Sequence, residues 1–109
     1  MNSPIEPINM NAMRDGAAKA CALLKVLANP DRLRLLCQLT QGELCVSELE
    51  TALGIVQPTL SQQLSVLRDE NMVLTRRDGK QIYYSIASAE AMAVLQVLYQ
   101  LYCQQGEAS

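Results

Sequence analysis

The most constraining stretch of this 109-residue chain runs from Glu43 to Ile86, where two helical patterns meet at one glycine and a β-prone pair of runs follows. In the second helical pattern Leu60, Leu64 and Leu67 recur at i, i+4 and i+7, which predicts one apolar stripe. Pro58 suits the first turn, where its missing N–H is not needed. The opposite face carries Gln57, Thr59, Ser61, Gln62, Ser65 and Arg68, side chains that hydrogen-bond and carry little charge. Taken alone, a polar helix face is usually just solvated. Its neighbours argue for more. Ser47 followed by Glu50 has the spacing of a capping box and predicts the start of a short helix that Gly54 ends. Helix, glycine turn and polar-faced helix form the helix-turn-helix pattern. Beyond it, Val73 to Arg77 and Lys80 to Ile86 flank Asp78-Gly79, a strong hairpin signal, with Arg76, Arg77 and Lys80 near the tip. A hairpin with a basic tip in that position reads as a wing beside a DNA-reading helix. Gln pairs bidentately with adenine, and Ser and Thr with several base edges.

Composition narrows the class. A chain of 109 residues allows one domain. Half its residues are apolar, but the aromatics are four tyrosines. A domain this small buries a limited fraction of its surface and often leans on a partner subunit. The net charge of −2 argues against a general polyanion binder. It leaves sequence-specific DNA binding open, because Arg68, Arg76, Arg77 and Lys80 stand against Asp69, Glu70 and Asp78 in the local stretch. Phosphate contacts should be few and the salt dependence shallow. No apolar run reaches the ~18 residues that span a bilayer, and no basic-then-apolar leader opens the chain. A cytoplasmic protein without membrane contact is expected, in which four cysteines are not a structural disulfide framework.

In chain order, residues 1 to about 9, with Pro4 and Pro7, read as a disordered lead. A winged helix-turn-helix domain is expected over 10–104, with the helix-turn-helix at about 46–70, the wing at about 73–86 and a last helix at about 88–104. The first helix, Met10 to Ala28, sets Ala17, Ala20, Cys21, Leu24 and Ala28 on one face, widened by Leu23 and Leu27. Asn29-Pro30 breaks it and starts a second, mostly buried helix to about Thr40, with Leu33, Leu36, Cys37 and Thr40 on one side and Leu35 and Leu39 beside it. Ser88 is a plausible N-cap for the last helix, which is apolar on almost every side and carries Glu90 as its only charge. One small domain cannot cover such a helix, so a homodimer interface built with the first helix is expected. The alternative is a central core helix in a monomer. Residues 105–109 read as a polar tail. The fold class is mainly α with a small β-hairpin (α+β), a homodimeric winged helix-turn-helix.

From Ala17 to Cys103 the chain resembles the ArsR/SmtB family of small dimeric winged-helix repressors. The resemblance is carried by Leu24 to Leu33 (including Asn29-Pro30-Asp31-Arg32), by Ser61-Gln62-Gln63-Leu64 and by Gly79-Lys80-Gln81-Ile82-Tyr83-Tyr84. The His that usually follows that Ser in the family is Gln62 here. The resemblance implies double-stranded operator DNA as partner. Gln57, Thr59, Ser61, Gln62 and Ser65 are the base-reading candidates, and Arg76, Arg77 and Lys80 the phosphate or minor-groove candidates.

No His occurs in the chain, which removes most zinc sites, serine and cysteine protease arrangements and imidazole bases. No Cys-x-x-Cys occurs either. With no cation beside Cys37 to hold a thiolate, Arg34 three residues away being the one candidate exception, a thiol enzyme is the weakest of the competing classes, and no cofactor is expected. Cys21, on the apolar face of the first helix, reads as a small packing residue. Glu43 to Leu49 resembles the metalloid-binding segment of arsenic-sensing members, but Ser47 stands where their second cysteine falls. A hydroxyl is a poor ligand for a soft ion, so a metalloid- or metal-responsive repressor using Cys45 is an alternative. Cys37 and Cys103 lie 66 residues apart and, on residues alone, read as two buried hydrophobes. They match the pair that the persulfide-responsive, BigR/SqrR-like branch of the family uses as a dithiol sensor. The resemblance implies a repressor whose Cys37 and Cys103 are linked by persulfide or polysulfide inducers, releasing the operator. A general oxidant sensor on the same dithiol is a further alternative, because thiolates do not by themselves discriminate oxidants.

Overall fold

In the computed structural model, residues 6–104 are described. The expected lead lies outside the described residues up to residue 5, as does the polar tail 105–109. The elements run α1 (Met10–Leu27), α2 (Pro30–Leu39), β1 (Leu44–Cys45), α3 (Val46–Leu53), α4 (Gln57–Asp69), β2 (Val73–Asp78), β3 (Gln81–Ile86) and α5 (Ala89–Tyr102). The helix starts follow from local chemistry. Asn9 caps α1 by accepting from the Asn11 and Ala12 N–H groups. Asn29 Oδ1 accepts from the Arg32 N–H at 3.0 Å, with Pro30 in the first turn of α2. Ser88 Oγ accepts from the Ala91 N–H at 3.0 Å and caps α5 as its sequence position suggested.

The core forms where the apolar faces of α2, α3 and α4 converge. Leu35, Leu36, Leu49, Leu60 and Leu67 are fully buried, and Leu39, Leu64, Val73, Tyr84, Leu27 and Leu95 close the cluster. The stripe Leu60, Leu64 and Leu67 is therefore turned inward as its spacing requires. The end of α4 is built to aim the chain into β2. Asn71 adopts a left-handed φ of 60°, the Met72 N–H donates to the Leu67 carbonyl (2.9 Å) and the Asn71 N–H to that of Arg68 (3.0 Å). This is a Schellman closure with Asn in the position Gly usually takes. The Ala87 N–H then donates to the Met72 carbonyl (2.8 Å), which ties the two ends of the hairpin together.

Several expectations are corrected. The sheet has three antiparallel strands in the order β1-β3-β2, not the hairpin alone. Leu44 pairs with Tyr84 and Cys45 with Tyr83, a two-residue strand too short to leave a periodic signature. The cap of α3 also lies two residues earlier than Ser47 and Glu50. Cys45 is the N-cap, and its N–H donates to Glu48 Oε1 at 2.9 Å. Strand pairing of Cys45 sets where the helix begins. In α2, Cys37 and Thr40 are exposed, so the buried side is Leu35, Leu36 and Leu39. In α1 the buried residues are Val26 and Leu27, while Cys21 and Leu24 are exposed.

That last difference leaves two apolar stripes uncovered. On α1, Met10, Met13 and Leu24 are exposed, with Cys21 between them. On α5 only Ala91 and Leu95 are buried, while Ala93, Val97 and Leu101 line an exposed row at i, i+4 and i+8. The radius of gyration, 16.1 Å, exceeds the roughly 13 Å of a compact domain of this length. Both outer helices are covered on one side only.

Candidate nucleic-acid interface and dithiol site

The helix-turn-helix is made by one backbone conformation. Gly54 caps α3 in the left-handed region (φ 69°, ψ 18°), and its N–H donates to the Glu50 carbonyl at 2.8 Å. Ile55 is buried directly after this turn, and Pro58 sits in the first turn of α4. The face of α4 away from the core presents Gln57, Ser61, Gln62, Ser65 and Arg68 to the surface. Thr59 is half-buried at the edge of that face. Gln57 and Ser61 are pre-ordered: the Ser61 hydroxyl donates to Gln57 Oε1 at 3.0 Å, and Gln57 Nε2 stands 3.5 Å from Glu50 Oε1. Gln62 and Ser65 are exposed and make no side-chain hydrogen bond within the described residues.

The wing separates the three cations that the sequence groups together. Arg76 lies opposite Tyr83 and Arg77 opposite Ile82, so their side chains leave opposite faces of the sheet. The two-residue loop is Gly79-Lys80, closed by the Asp78–Gln81 pair, with Gly79 at φ 65°. Glycine at the first loop position is what a II′ hairpin turn requires. Arg77 and Lys80 are exposed and form no ion pair among the described residues. Arg76 is engaged. Its Nη2 and Nε meet the two Glu43 carboxylate oxygens at 2.8 and 3.0 Å, its Nη1 lies 3.7 Å from Asp78, and its guanidinium stands 4.8 Å from the Tyr83 ring centroid. The hydrogen bond from Arg76 holds the Glu43 carboxyl below the usual carboxylate range.

Sequence reading passed over two residues that position α4. Arg32 donates from Nε to the Val26 carbonyl (2.7 Å) and from Nη2 to that of Lys25 (3.3 Å), closing the C-terminus of α1. Its Nη1 donates to Gln63 Oε1 on α4 at 2.9 Å. The available signal was that Gln63 falls between Leu60 and Leu64, on the inward side where a polar residue needs a partner.

The cysteines are all free thiols. Cys45 is buried, its Sγ 3.3 Å from the Ser47 hydroxyl. A lone thiol with a hydroxyl beside it is a donor pair ill suited to a soft ion. Among the described residues no three Cys, Asp or Glu side chains come together as ligands. Cys37 and Cys103 are both exposed, not buried hydrophobes. Cys37 lines a groove of about 630 Å³ between the end of α2 and α5, with Thr40 and Gln41 on one wall and Leu95, Tyr99 and Gln100 on the other. Cys103 is the C-cap of α5, its N–H donating to the Tyr99 carbonyl at 2.8 Å. The two thiols are brought within electrostatic reach. Desolvation in the groove pushes the Cys37 thiol above its ordinary value, and the charge of Cys103 raises it further. Arg34 takes no part there; its Nη2 donates to the Leu53 carbonyl at the end of α3 (2.8 Å).

Three helices packed on a recognition turn and a paired β-wing define a winged helix-turn-helix regulatory protein. A model of the arsR family of bacterial regulatory proteins matches residues 29–75. The chain is 48% identical to the biofilm growth-associated repressor of Agrobacterium fabrum, over 94% of this chain and 88% of that one. It is 41% identical to the transcriptional activator HlyU of Vibrio cholerae, over 93% and 94% of the respective chains. The crystal structure of the transcriptional repressor BigR from Xylella fastidiosa superposes with a TM-score of 0.85 at 46% identity, covering 90% of this chain and all of that one. The chain belongs to the arsR family. Among the described residues no helix is long and apolar enough to cross a membrane.

The raised Cys37 thiol has a pH signature. Its thiolate forms at higher pH than that of an ordinary thiol, so the midpoint of its alkylation rate by iodoacetamide, followed by peptide mass mapping, should lie above that of a free cysteine peptide. Cys103→Ser removes the second cause of the shift and should move that profile toward lower pH. A profile unmoved by Cys103→Ser would mean that the two sulfurs do not sense each other.

Proposed function

We propose that the protein is a homodimeric transcriptional repressor that reads a two-fold symmetric operator through α4 and releases it when Cys37 and Cys103 are linked by reactive sulfur. The observation that carries the reading is the apposition of α5's last turn, which ends in Cys103, to the Cys37 groove in α2. The same helix bears the exposed apolar row Ala93, Val97 and Leu101. A sulfur bridge formed there acts on a helix that a second copy would cover.

The DNA part rests on the outward face of α4. Gln57, Ser61, Gln62 and Ser65 are the base readers, with Thr59 at the margin. Arg77 and Lys80, free of ion pairs among the described residues, are the phosphate contacts. The dimer part rests on the two uncovered stripes of α1 and α5, for which a second copy is the cover: soluble monomers rarely leave such rows open. The near relatives named as repressors favour repression. A protein acting on operator DNA in this way works in the cytoplasm.

The sensing chemistry balances with a low-molecular-weight persulfide, RSSH, as oxidant. Cys37 is the poorer first nucleophile because its thiol is pushed up, so attack begins at Cys103. The Cys103 thiolate displaces RS⁻ and becomes a persulfide, Cys103–S–SH. The Cys37 thiolate then attacks the Cys103 sulfur and expels HS⁻, leaving a disulfide. Two thiols are oxidised, and RSSH is reduced to RSH and H₂S. With longer polysulfides, attack by Cys37 on the sulfur next to the Cys103 Sγ, with the remaining outer sulfur expelled as hydrosulfide or a shorter polysulfide, leaves an extra sulfur atom in the bridge. A plain disulfide needs Cα atoms within about 7 Å, so any wider gap must be met by helix movement or added sulfur. A tenfold loss of operator affinity needs only ~1.4 kcal/mol of coupling.

Three measurements test the proposal. In binding titrations on duplexes selected by the protein from a randomised library, Gln62→Ala should cost roughly 1–3 kcal/mol and relax base preference, while Arg77→Ala should weaken all sequences alike and flatten the salt dependence. Unchanged affinity and preference in Gln62→Ala would place another face of α4 on the DNA. Val97→Asp puts a charge on a residue already 52% exposed in the single chain, so the subunit should fold normally. Buried against a second copy that charge has no partner, and sedimentation should show monomers. A stable dimer would move the interface away from this row. Finally, Cys37→Ser and Cys103→Ser should bind DNA as the parent does and keep it in the presence of an organic persulfide, whereas Cys21→Ser and Cys45→Ser should release it. If no sulfur link joins Cys37 to Cys103 by mass mapping, or both serine variants still release DNA, the dithiol mechanism fails. Release by peroxide as readily as by persulfide would make the protein a general oxidant sensor, and release by arsenite that Cys45→Ser abolishes would make it a metalloid sensor.

A further inference from the structure

The contacts of Arg76 set it apart from the other wing cations. Glu43 immediately precedes β1, and Cys45, the last residue of β1, is also the N-cap of α3. Glu43 is thus joined through two strand residues to the start of the helix-turn-helix. Arg76 sits midway along β2, the outer strand of the wing, with β3 between it and β1. To reach Glu43 its side chain crosses β3 over the Tyr83 ring, and it arrives in a two-pronged pairing at 2.8 and 3.0 Å. Paired guanidinium–carboxylate geometry of this kind fixes direction as well as charge. The backbone attachment that it spans is slight, since β1 pairs with β3 through only Leu44–Tyr84 and Cys45–Tyr83. Arg77, leaving the opposite face, and Lys80, in the loop, have no such partner among the described residues.

We propose that Arg76 is a positioning residue and not a phosphate ligand: the Glu43–Arg76–Tyr83 strap fixes the angle between the wing and the helix-turn-helix so that α4 and the wing tip meet DNA together. This deepens the DNA-binding reading and rests on it. Two carboxylates face Arg76, Glu43 from just before β1 and Asp78 from the end of β2. A phosphate would have to displace one partner and approach the other. In a chain of net charge −2, assigning one of few wing cations to the fold is visible in the salt dependence of binding.

The test uses full-length protein and a duplex that the parent selects from a randomised library. Arg76 and Glu43 lie at the surface, so neither Arg76→Ala nor Glu43→Gln threatens the core. Each should lower affinity by about two- to fivefold, the range of an exposed ion pair, and the double variant should be no worse than either single one. Both should leave the slope of log affinity against log salt unchanged, whereas Arg77→Ala, the phosphate-contact control, should reduce it by about 0.9 per subunit. The proposal is overturned if Arg76→Ala flattens the salt slope as Arg77→Ala does, if Glu43→Gln tightens binding, or if neither single variant changes affinity. Failure of the parent to select any duplex would sink the DNA reading and this inference together; selection followed by any of those three results sinks this inference alone.

Discussion

Everything the surface of α4 can do depends on the burial of its other face. Leu60 and Leu67 are fully withdrawn from solvent and Leu64 nearly so, against Leu35, Leu36 and Leu39 of α2 and Leu49 of α3. Each such side chain contributes about 1.5–3 kcal/mol relative to exposure. Rotating α4 about its axis would lose that burial and bring Gln62 or Ser65 into the core without partners. The helix is therefore held at one rotation, and its amides and hydroxyls face outward. Gln63, which falls on the inward side, is accommodated because Arg32 donates to it while closing the end of α1.

Rotation alone does not make an interface; the helix must also enter and leave at fixed angles. Gly54 provides the entry, with a left-handed backbone that L side chains adopt at a cost of roughly 1–2 kcal/mol. Asn71 provides the exit in the same region of conformational space, and the two hydrogen bonds behind it point β2 away from the axis of α4. The Met72–Ala87 hydrogen bond then returns the hairpin to its starting point. The recognition helix and the wing are thus one unit defined by backbone geometry, with the Glu43–Arg76 pairing laid across it.

The outer helices follow a different logic. α5 is anchored by Ala91 and Leu95, with Val94 packed against the core, while Ala93 and Val97 are exposed in the single chain. Tyr99 and Gln100 of its last turn line the groove that Cys37 shares, and Cys103 follows them as the C-cap. Under the proposed dithiol mechanism, a bond formed there acts on α5 and not directly on the Leu60, Leu64 and Leu67 packing of α4.

Local pattern was enough to read the helices, the Gly54 turn, the wing and the face of α4 from the chain alone. Each is set by interactions within a few residues: leucines at helical spacing, a glycine where φ must be positive, Pro30 in a first turn and Ser88 as a cap; the hairpin signal at Asp78-Gly79 lay one residue early, since the loop is Gly79-Lys80. The family resemblance likewise rested on contiguous segments. What the sequence could not decide were outcomes that depend on distant partners. β1 is a strand only because Tyr83 and Tyr84 lie beside it, and that pairing moved the start of α3 from Ser47 to Cys45. Arg76 and Arg77 read as equivalent cations until strand alternation and Glu43, thirty-three residues away, separated them. Cys37 and Cys21 matched the apolar spacing of their helices yet stand at the surface, because which stripe of a nearly all-apolar helix is buried is settled by what packs against it. Periodicity records the faces that a helix has; only the tertiary structure chooses which face meets the core.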